Sequence, residues 1–328
     1  MDLNIVWFIL IGFLLVGYAI LDGFDLGVGI LQIFAKKEAD KNAMRESIEP
    51  FWDGNEVWLL TGGGAIFAAF PHVYATVFSG FYIAMILLLV GLIFRALSIE
   101  FRNQVDSQAW KNFWDKAFSI SSLVVALLLG VALGNIFIGI PLDGEMNFTG
   151  SFFTLLRPVP LFVGLTGVLM ISLQGAAYLL LKTDQDLYVS AQSWVRKSWL
   201  LFIVFTVLTT VITAMTDYSK IGLLFSSFWG YLATVLLLAG VILVPRFLKR
   251  EANFRVFLSS SLIIVAMFLI VGATIFPNMV PALIPDYSLD IYNAASSQRT
   301  LFAMLVIALI GMPIVLAYST FVYRVFRK

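Results

Sequence analysis

Long apolar runs separated by short polar segments dominate the sequence. A window of about 20 residues, the length of a helix that crosses a bilayer, picks out the runs that predict membrane spans. Nine lie at residues 5–34, 51–70, 74–98, 117–140, 158–181, 198–216, 222–245, 256–280 and 300–323. The pattern predicts an all-α integral membrane protein in which residues 1–328 form a single polytopic membrane domain of nine transmembrane helices.

Basic residues divide unevenly between the two ends of these predicted spans. Of the 21 Lys and Arg residues, all except Arg157, Lys220 and Arg299 lie in loops that follow odd-numbered spans or in the C-terminal tail. Because Lys and Arg are retained on the cytoplasmic side, the alternation predicts an N-terminus outside and a cytoplasmic C-terminus. Losing or adding one span would scramble the alternation, so the charges also favour nine spans.

The composition narrows the classes of function. Hydrophobic residues make up 60% of the chain and charged residues 12%, which is far from the balance of a water-soluble domain. The net charge of +1 gives no reason to expect a nucleic-acid partner. There is no cysteine and only one histidine, so the chain lacks the donors for a thiolate or multi-histidine metal site. We therefore predict no cofactor and no metal in this chain, and the lipid bilayer as its surroundings.

Two pairs of acidic residues interrupt the apolar runs. Asp22 and Asp25 lie in span 1, Asp53 and Glu56 lie in span 2, and both pairs have the spacing i,i+3. This spacing puts each pair on one helix face. An ionised carboxylate at the centre of a membrane helix costs about 2.5 to 3.5 kcal/mol, so such residues are the first candidates for function. We expect the two acidic faces to meet.

All four acids are expected at one depth. A rise of about 1.5 Å per residue places them near the cytoplasmic boundary, where Arg95 ends span 3 and is the predicted charge partner. The predicted polar and aromatic lining consists of Trp52, Asn55 and Trp58. This layer predicts a proton entry that uses all four carboxylates. The alternative is structural: acids in a first helical turn also complement the helix dipole, and Arg95 would then be only a counter-ion.

Several motifs resemble subunit II of the cytochrome bd quinol oxidases. They are LDGFDLGVG at 21–29, WDGNEVWL at 52–59, GGAIFAAFP at 63–71 and FSGFY at 78–82, followed in order by GN at 134–135, GIP at 139–141, QGA at 174–176 and ASSQ at 295–298. The resemblance covers essentially the whole chain and is densest before residue 110.

This resemblance implies a membrane oxidase in which quinol passes electrons through two b-type hemes and a heme d to oxygen. In that family the hemes belong to subunit I, so this chain would be its non-heme partner in the bacterial or archaeal cytoplasmic (inner) membrane. The Asp of the WDGN motif, here Asp53, belongs to the implied proton route, whereas Glu56 stands where some relatives carry Gln. The glycine-lined faces of the early spans are expected to meet subunit I, and small accessory membrane subunits stay open.

Two other functions stay open at this point. The same acidic layer would serve as the coupling site of a proton-coupled secondary transporter, or the chain would be a purely structural subunit. An optical spectrum of the purified complex separates the oxidase from the transporter, because only the oxidase shows b- and d-type hemes. Replacing Asp53 by Asn separates proton transfer from a purely structural role.

Overall fold

The computed structural model describes residues 2–326, and helices account for most of them. The helices are α1 (Leu3–Gln32), α2 (Glu38–Ile48), α3 (Trp52–Ala69), α4 (Pro71–Gly80), α5 (Tyr82–Phe101), α6 (Gln108–Ile138), α7 (Pro158–Lys182), α8 (Gln185–Thr216), α9 (Ser219–Leu224), α10 (Phe228–Leu248), α11 (Asn253–Ile275) and α12 (Gln298–Val325). Two short antiparallel strands, β1 (Asn278–Val280) and β2 (Leu289–Asp290), and 3₁₀ turns at Phe152–Leu155 and Pro285–Tyr287 complete the regular structure.

Eight helices within residues 2–326 are long and apolar enough to cross a bilayer, namely α1, α5, α6, α7, α8, α10, α11 and α12. The predicted second span coincides with α3, which has 18 residues and polar side chains in its first turns. These polar residues lower its hydropathy, so α3 is not among the eight. The membrane character is confirmed, and the ninth crossing and the orientation stay predictions.

Three predicted span boundaries are wrong. Span 3 (74–98) is broken, because α4 ends at Gly80 and α5 begins at Tyr82. The Phe148 side chain packs where a Cβ at Gly80 would lie, 2.7 Å away, so the segment between α6 and α7 occupies the break. Span 7 (222–245) begins instead at Phe228, after the cap at Ser227. Span 8 (256–280) ends at Ile275, since the residue before Pro277 is extended, and 278–280 form β1.

Other helices extend beyond their apolar runs. Helix α6 begins at Gln108 and α8 at Gln185, well before residues 117 and 198. A hydropathy window registers only the apolar part of a helix, so it misses polar turns that continue the same helix. The segment after α1, which the hydropathy pattern leaves outside the spans, forms the helix α2, whose Met44 and Ile48 are fully buried.

Helix α7 lies at the centre and packs against α1, α6, α8 and α11. Its contact with α1 requires glycine, because a Cβ on Gly27 would lie 2.2 Å from the carbonyl oxygen of Ile171 and one on Gly175 would lie 2.4 Å from the carbonyl carbon of Gly27. The glycine face of α1 is therefore occupied within the chain. It is not free for subunit I, so the expectation from the sequence is wrong for the first span, whereas Gly63 and Gly64 on α3 have no neighbour within 4 Å among the described residues.

Candidate functional site

Arg95 joins two of the predicted acids. From α5, its Nη1 donates to Asp22 Oδ1 at 2.6 Å and its Nη2 donates to Glu56 Oε2 at 2.8 Å. The side chains of Arg95 and Asp22 are fully buried, and that of Glu56 is 21% exposed. One guanidinium thus ties α1, α3 and α5 together, as its fork of donors permits.

Asn55 holds the third acid. Its Nδ2 donates to Asp25 Oδ2 at 2.8 Å and to the carbonyl oxygen of Leu21 at 3.3 Å. Asp25 lies on α1 one turn beyond Asp22 and is fully buried. The i,i+3 pair on α1 therefore points into the contact with α3, as the spacing predicts. We call Asp22, Asp25, Glu56 and Arg95 the acidic layer.

Asp53 lies outside the buried part of this arrangement. It is exposed, and among residues 2–326 it has neither an ion pair nor a hydrogen bond from its side chain. Together with Trp52 and Glu56 it lines a groove of about 210 Å³ between α3 and α5, whose other walls include Leu60, Leu89 and Ile93. Glu56 is thus the residue that both faces the groove and binds Arg95.

The predicted tryptophans have different positions. Trp52 lines the groove, but Trp58 is buried against α1, where a Cβ on Gly17 would lie 2.3 Å from its ring. Trp58 clusters with Leu14 and Tyr18. We therefore correct its predicted role from lining residue to packing residue, because its ring is buried in the contact between α1 and α3.

The sequence reasoning missed two tyrosines of this region. Tyr18 precedes Asp22 by four residues on α1 and is buried, so the i,i+4 spacing was a usable signal. Tyr323 donates its hydroxyl to Asn55 Oδ1 at 2.8 Å from α12, a separation of 268 residues. No local pattern links residues so far apart.

The chain matches a known protein family. The model of the family described as cytochrome bd terminal oxidase subunit II matches residues 3–326. The chain belongs to this family. It is 35% identical to cytochrome bd-I ubiquinol oxidase subunit 2 of Escherichia coli (strain K12), over 98% of this chain and 93% of that protein. It is also 34% identical to cytochrome bd ubiquinol oxidase subunit 2 of Bacillus subtilis (strain 168), over 100% of this chain and 96% of that protein.

The fold agrees with a solved relative. The bd oxidase from Geobacillus thermodenitrificans contains a chain that matches with a TM-score of 0.83, at 18% identity and with 99% of both chains covered. Within this subunit II chain, residues 2–326 contain no group of three or more His, Cys, Asp or Glu side chains suited to a metal ion. Its one histidine, His72, is exposed at the start of α4, so the donor set does not fit a bis-histidine heme.

Proposed function

We propose that this chain is the non-heme subunit of a quinol-oxidising bd-type complex and supplies a proton-entry route from the cytoplasm to the heme-bearing subunit I. Relatives that match nearly its whole length are named as subunits of ubiquinol oxidases. The proposal includes nine crossings, a cytoplasmic C-terminus and a place in the bacterial cytoplasmic membrane. Helix α3, about 27 Å long at 1.5 Å per residue, would supply the ninth crossing.

The single observation that carries the proton route is the acidic layer itself. The layer holds three carboxylates and one guanidinium: Arg95 binds Asp22 and Glu56, while Asp25 is bound by Asn55. Because the carboxylates outnumber the arginine, they can bind protons in addition to pairing with it. An ionisable residue inside the membrane is a functional candidate by default. The order Asp53, Glu56, Asp22 leads from the exposed groove to a fully buried carboxylate, with Asp25 one turn further along α1.

Packing on the cytoplasmic side supports the groove as the entrance. The ring of Tyr178 stacks on Phe24, with centroids 4.0 Å apart, and its hydroxyl donates to the carbonyl oxygen of Ser47 at 2.5 Å. Ile48 in the same segment is fully buried. Because these side chains fill the space between α2 and α7, Asp25 lacks an open approach from α2, whereas Asp53 has one through the groove.

We also infer that subunit I covers the exposed face of α3. Gly64 lies eleven residues after Asp53, on the same side of α3, and a Cβ built on it would meet nothing within 4 Å, so another helix has room to approach this face closely. Asp53 is exposed on the same helix.

The test is Asp53→Asn in the purified complex. Without a titratable group at the entrance, we expect oxygen consumption per heme to fall at least about tenfold, given that a positioned proton carrier contributes about 10²–10⁴. Heme content and recovery of subunit I should not change. The matched control is Glu100→Gln, which neutralises an exposed carboxylate on α5 outside the acidic layer.

Three results would contradict the proposal. Normal turnover in Asp53→Asn overturns the proton route. Loss of the hemes in that variant favours a purely structural role, for which the buried clasp of Arg95 on Asp22 and Glu56 is the supporting observation. Absence of b- and d-type heme bands from the wild-type complex, with solute uptake instead, would favour a transporter.

A further inference from the structure

The cytoplasmic end of α12 reaches the acidic layer through a chain of hydrogen bonds. The Tyr323 hydroxyl donates to Asn55 Oδ1 at 2.8 Å, and Asn55 Nδ2 donates to Asp25 Oδ2 at 2.8 Å. Asn55 is 3% exposed and Asp25 is fully buried. Three helices that are distant in sequence, α12, α3 and α1, thus meet in one polar contact.

The orientation of the Asn55 amide decides what Asp25 encounters. An amide NH₂ group bonds an ionised carboxylate, whereas an amide oxygen bonds only the protonated acid. The carbonyl oxygen of Leu21, 3.3 Å from Nδ2, is an acceptor only, so it selects the orientation with NH₂ toward α1. The hydroxyl of Tyr323 then donates to the amide oxygen on the opposite side, which stabilises that same orientation.

Aromatic packing places the Tyr323 hydroxyl. Its ring stacks on Phe51, with centroids 4.5 Å apart and an interplanar angle of 4°, and Phe326 packs edge-on against Phe51 at 6.2 Å. The carbonyl oxygen of Phe326 accepts from Lys182 Nζ at 2.6 Å. The buried residues of α12 within residues 2–326 are Leu301 and Leu305, near its start, so at the Tyr323 end the ring stack and these hydrogen bonds hold the helix in place.

We propose that Tyr323 and Asn55 are positioning residues for Asp25: the tyrosine hydroxyl keeps the amide NH₂ on the carboxylate through each turnover. Tyr323 does not touch Asp25 and acts through Asn55. The inference rests on the proposed function, because it assigns Asp25 to the proton route. It adds a contribution from the C-terminal helix, which the acidic motifs do not include.

The experiment compares Tyr323→Phe with the wild-type complex. The change removes the hydroxyl and keeps the stack on Phe51, so heme content and subunit I recovery should stay normal. We expect oxygen turnover per heme to fall by about two- to tenfold, as the loss of one hydrogen bond implies. In infrared difference spectra, the carboxyl band that Asp25→Asn abolishes should shift in Tyr323→Phe. Tyr318→Phe, on the same helix at a side chain that is 66% exposed, is the control.

Two further variants separate positioning from architecture. In an Asp25→Asn background, Tyr323→Phe should cause no further loss, because the carboxylate on which it acts is gone. Tyr323→Leu removes both hydroxyl and ring. An effect of Tyr323→Leu on turnover that Tyr323→Phe lacks would assign the role to the stack and overturn the proposal.

The remaining outcomes also decide. Wild-type turnover and an unshifted Asp25 band in Tyr323→Phe overturn the positioning role, as does a full additional loss in the Asp25→Asn background. Normal turnover in Asp25→Asn removes Asp25 from the proposed route. The infrared band still decides in that case, since a shift in Tyr323→Phe supports control of the Asp25 hydrogen bond and its absence refutes it.

Discussion

Two clusters of charged side chains, one joining α1, α3 and α5 and the other joining α2, α6 and the end of α5, have opposite charge balances. In the acidic layer, Arg95 faces more carboxylates than it can neutralise. In the second cluster, Asp115 on α6 binds three cations: Lys41 Nζ at 3.1 Å, Arg102 Nε at 2.7 Å, and Arg45. We call Asp115 with these cations the basic clamp. Arg102 also binds Glu38 of α2.

The difference teaches which cluster suits proton transfer. In the basic clamp, burial lowers the pKa of the Arg45 guanidinium to about 10 while the hydrogen bond with Asp115 opposes that effect, so Arg45 stays charged at neutral pH. Three cations around one carboxylate hold α2 against the end of α5 and against α6, and this balance suits packing better than proton transfer. In the acidic layer the carboxylates outnumber the one arginine, so the layer contains groups that can take up and release a proton.

The largest effect should come from Arg95→Gln. This change leaves Asp22 and Glu56 without their cation in a buried site, and breaking such a pair costs about 3–5 kcal/mol. We expect little intact complex and a much lower thermal stability, measured by heme absorbance during heating. Arg95→Lys keeps the charge but lacks the forked donors, so its thermal stability should lie between that of the wild type and that of Arg95→Gln. Wild-type stability of Arg95→Gln would show that the acids do not depend on Arg95.

Asp115→Asn should have a smaller effect on stability. Three cations lose their carboxylate, but Lys41 is 20% exposed and Glu38 is 42% exposed, so water and Glu38 compensate in part. We expect a loss of about 1.5–3 kcal/mol, the range for hydrogen bonds to charged groups. Oxygen turnover per heme in the assembled complex should stay normal. A tenfold loss of turnover would instead connect the basic clamp to the proton route.

The smallest effect should follow Lys41→Gln. Lys41 is the most exposed cation on Asp115, and a pair near the surface contributes about 0–1 kcal/mol. We expect a fall in thermal stability that is hard to resolve at high salt, where surface ion pairs are screened further. A loss as large as that of Asp115→Asn would show that the basic clamp depends on all of its cations equally.

Part of the site was accessible from the sequence. The sequence predicted that the acids meet one arginine. Residues three apart, such as Asp22 and Asp25, lie on one face of a helix, and Arg95 was expected at the same depth in the membrane. Asp53 was predicted in the same layer, yet it is exposed in the groove. The spacing places it on the same helix as Glu56, but its side chain has no ion pair or hydrogen bond among residues 2–326.

The packing partners were not accessible in the same way. The sequence indicated glycine-lined faces on the early spans, but only the structure identifies α7 as the neighbour of Gly27. Trp58 was predicted beside the acids and instead packs on Gly17. Hydropathy also missed the break at Phe81, because both sides of it are apolar.

The sequence by itself determined the membrane character, the family and the helix faces that carry the acids, since these follow from apolar run length, motif order and the period of a helix. Only the tertiary structure decided that Arg95 clasps Asp22 and Glu56, that Asp53 faces a groove, and that Tyr323 meets Asn55. Contacts between helices depend on how ridges and glycine gaps fit together in three dimensions, and no local pattern encodes which distant helix fills each gap.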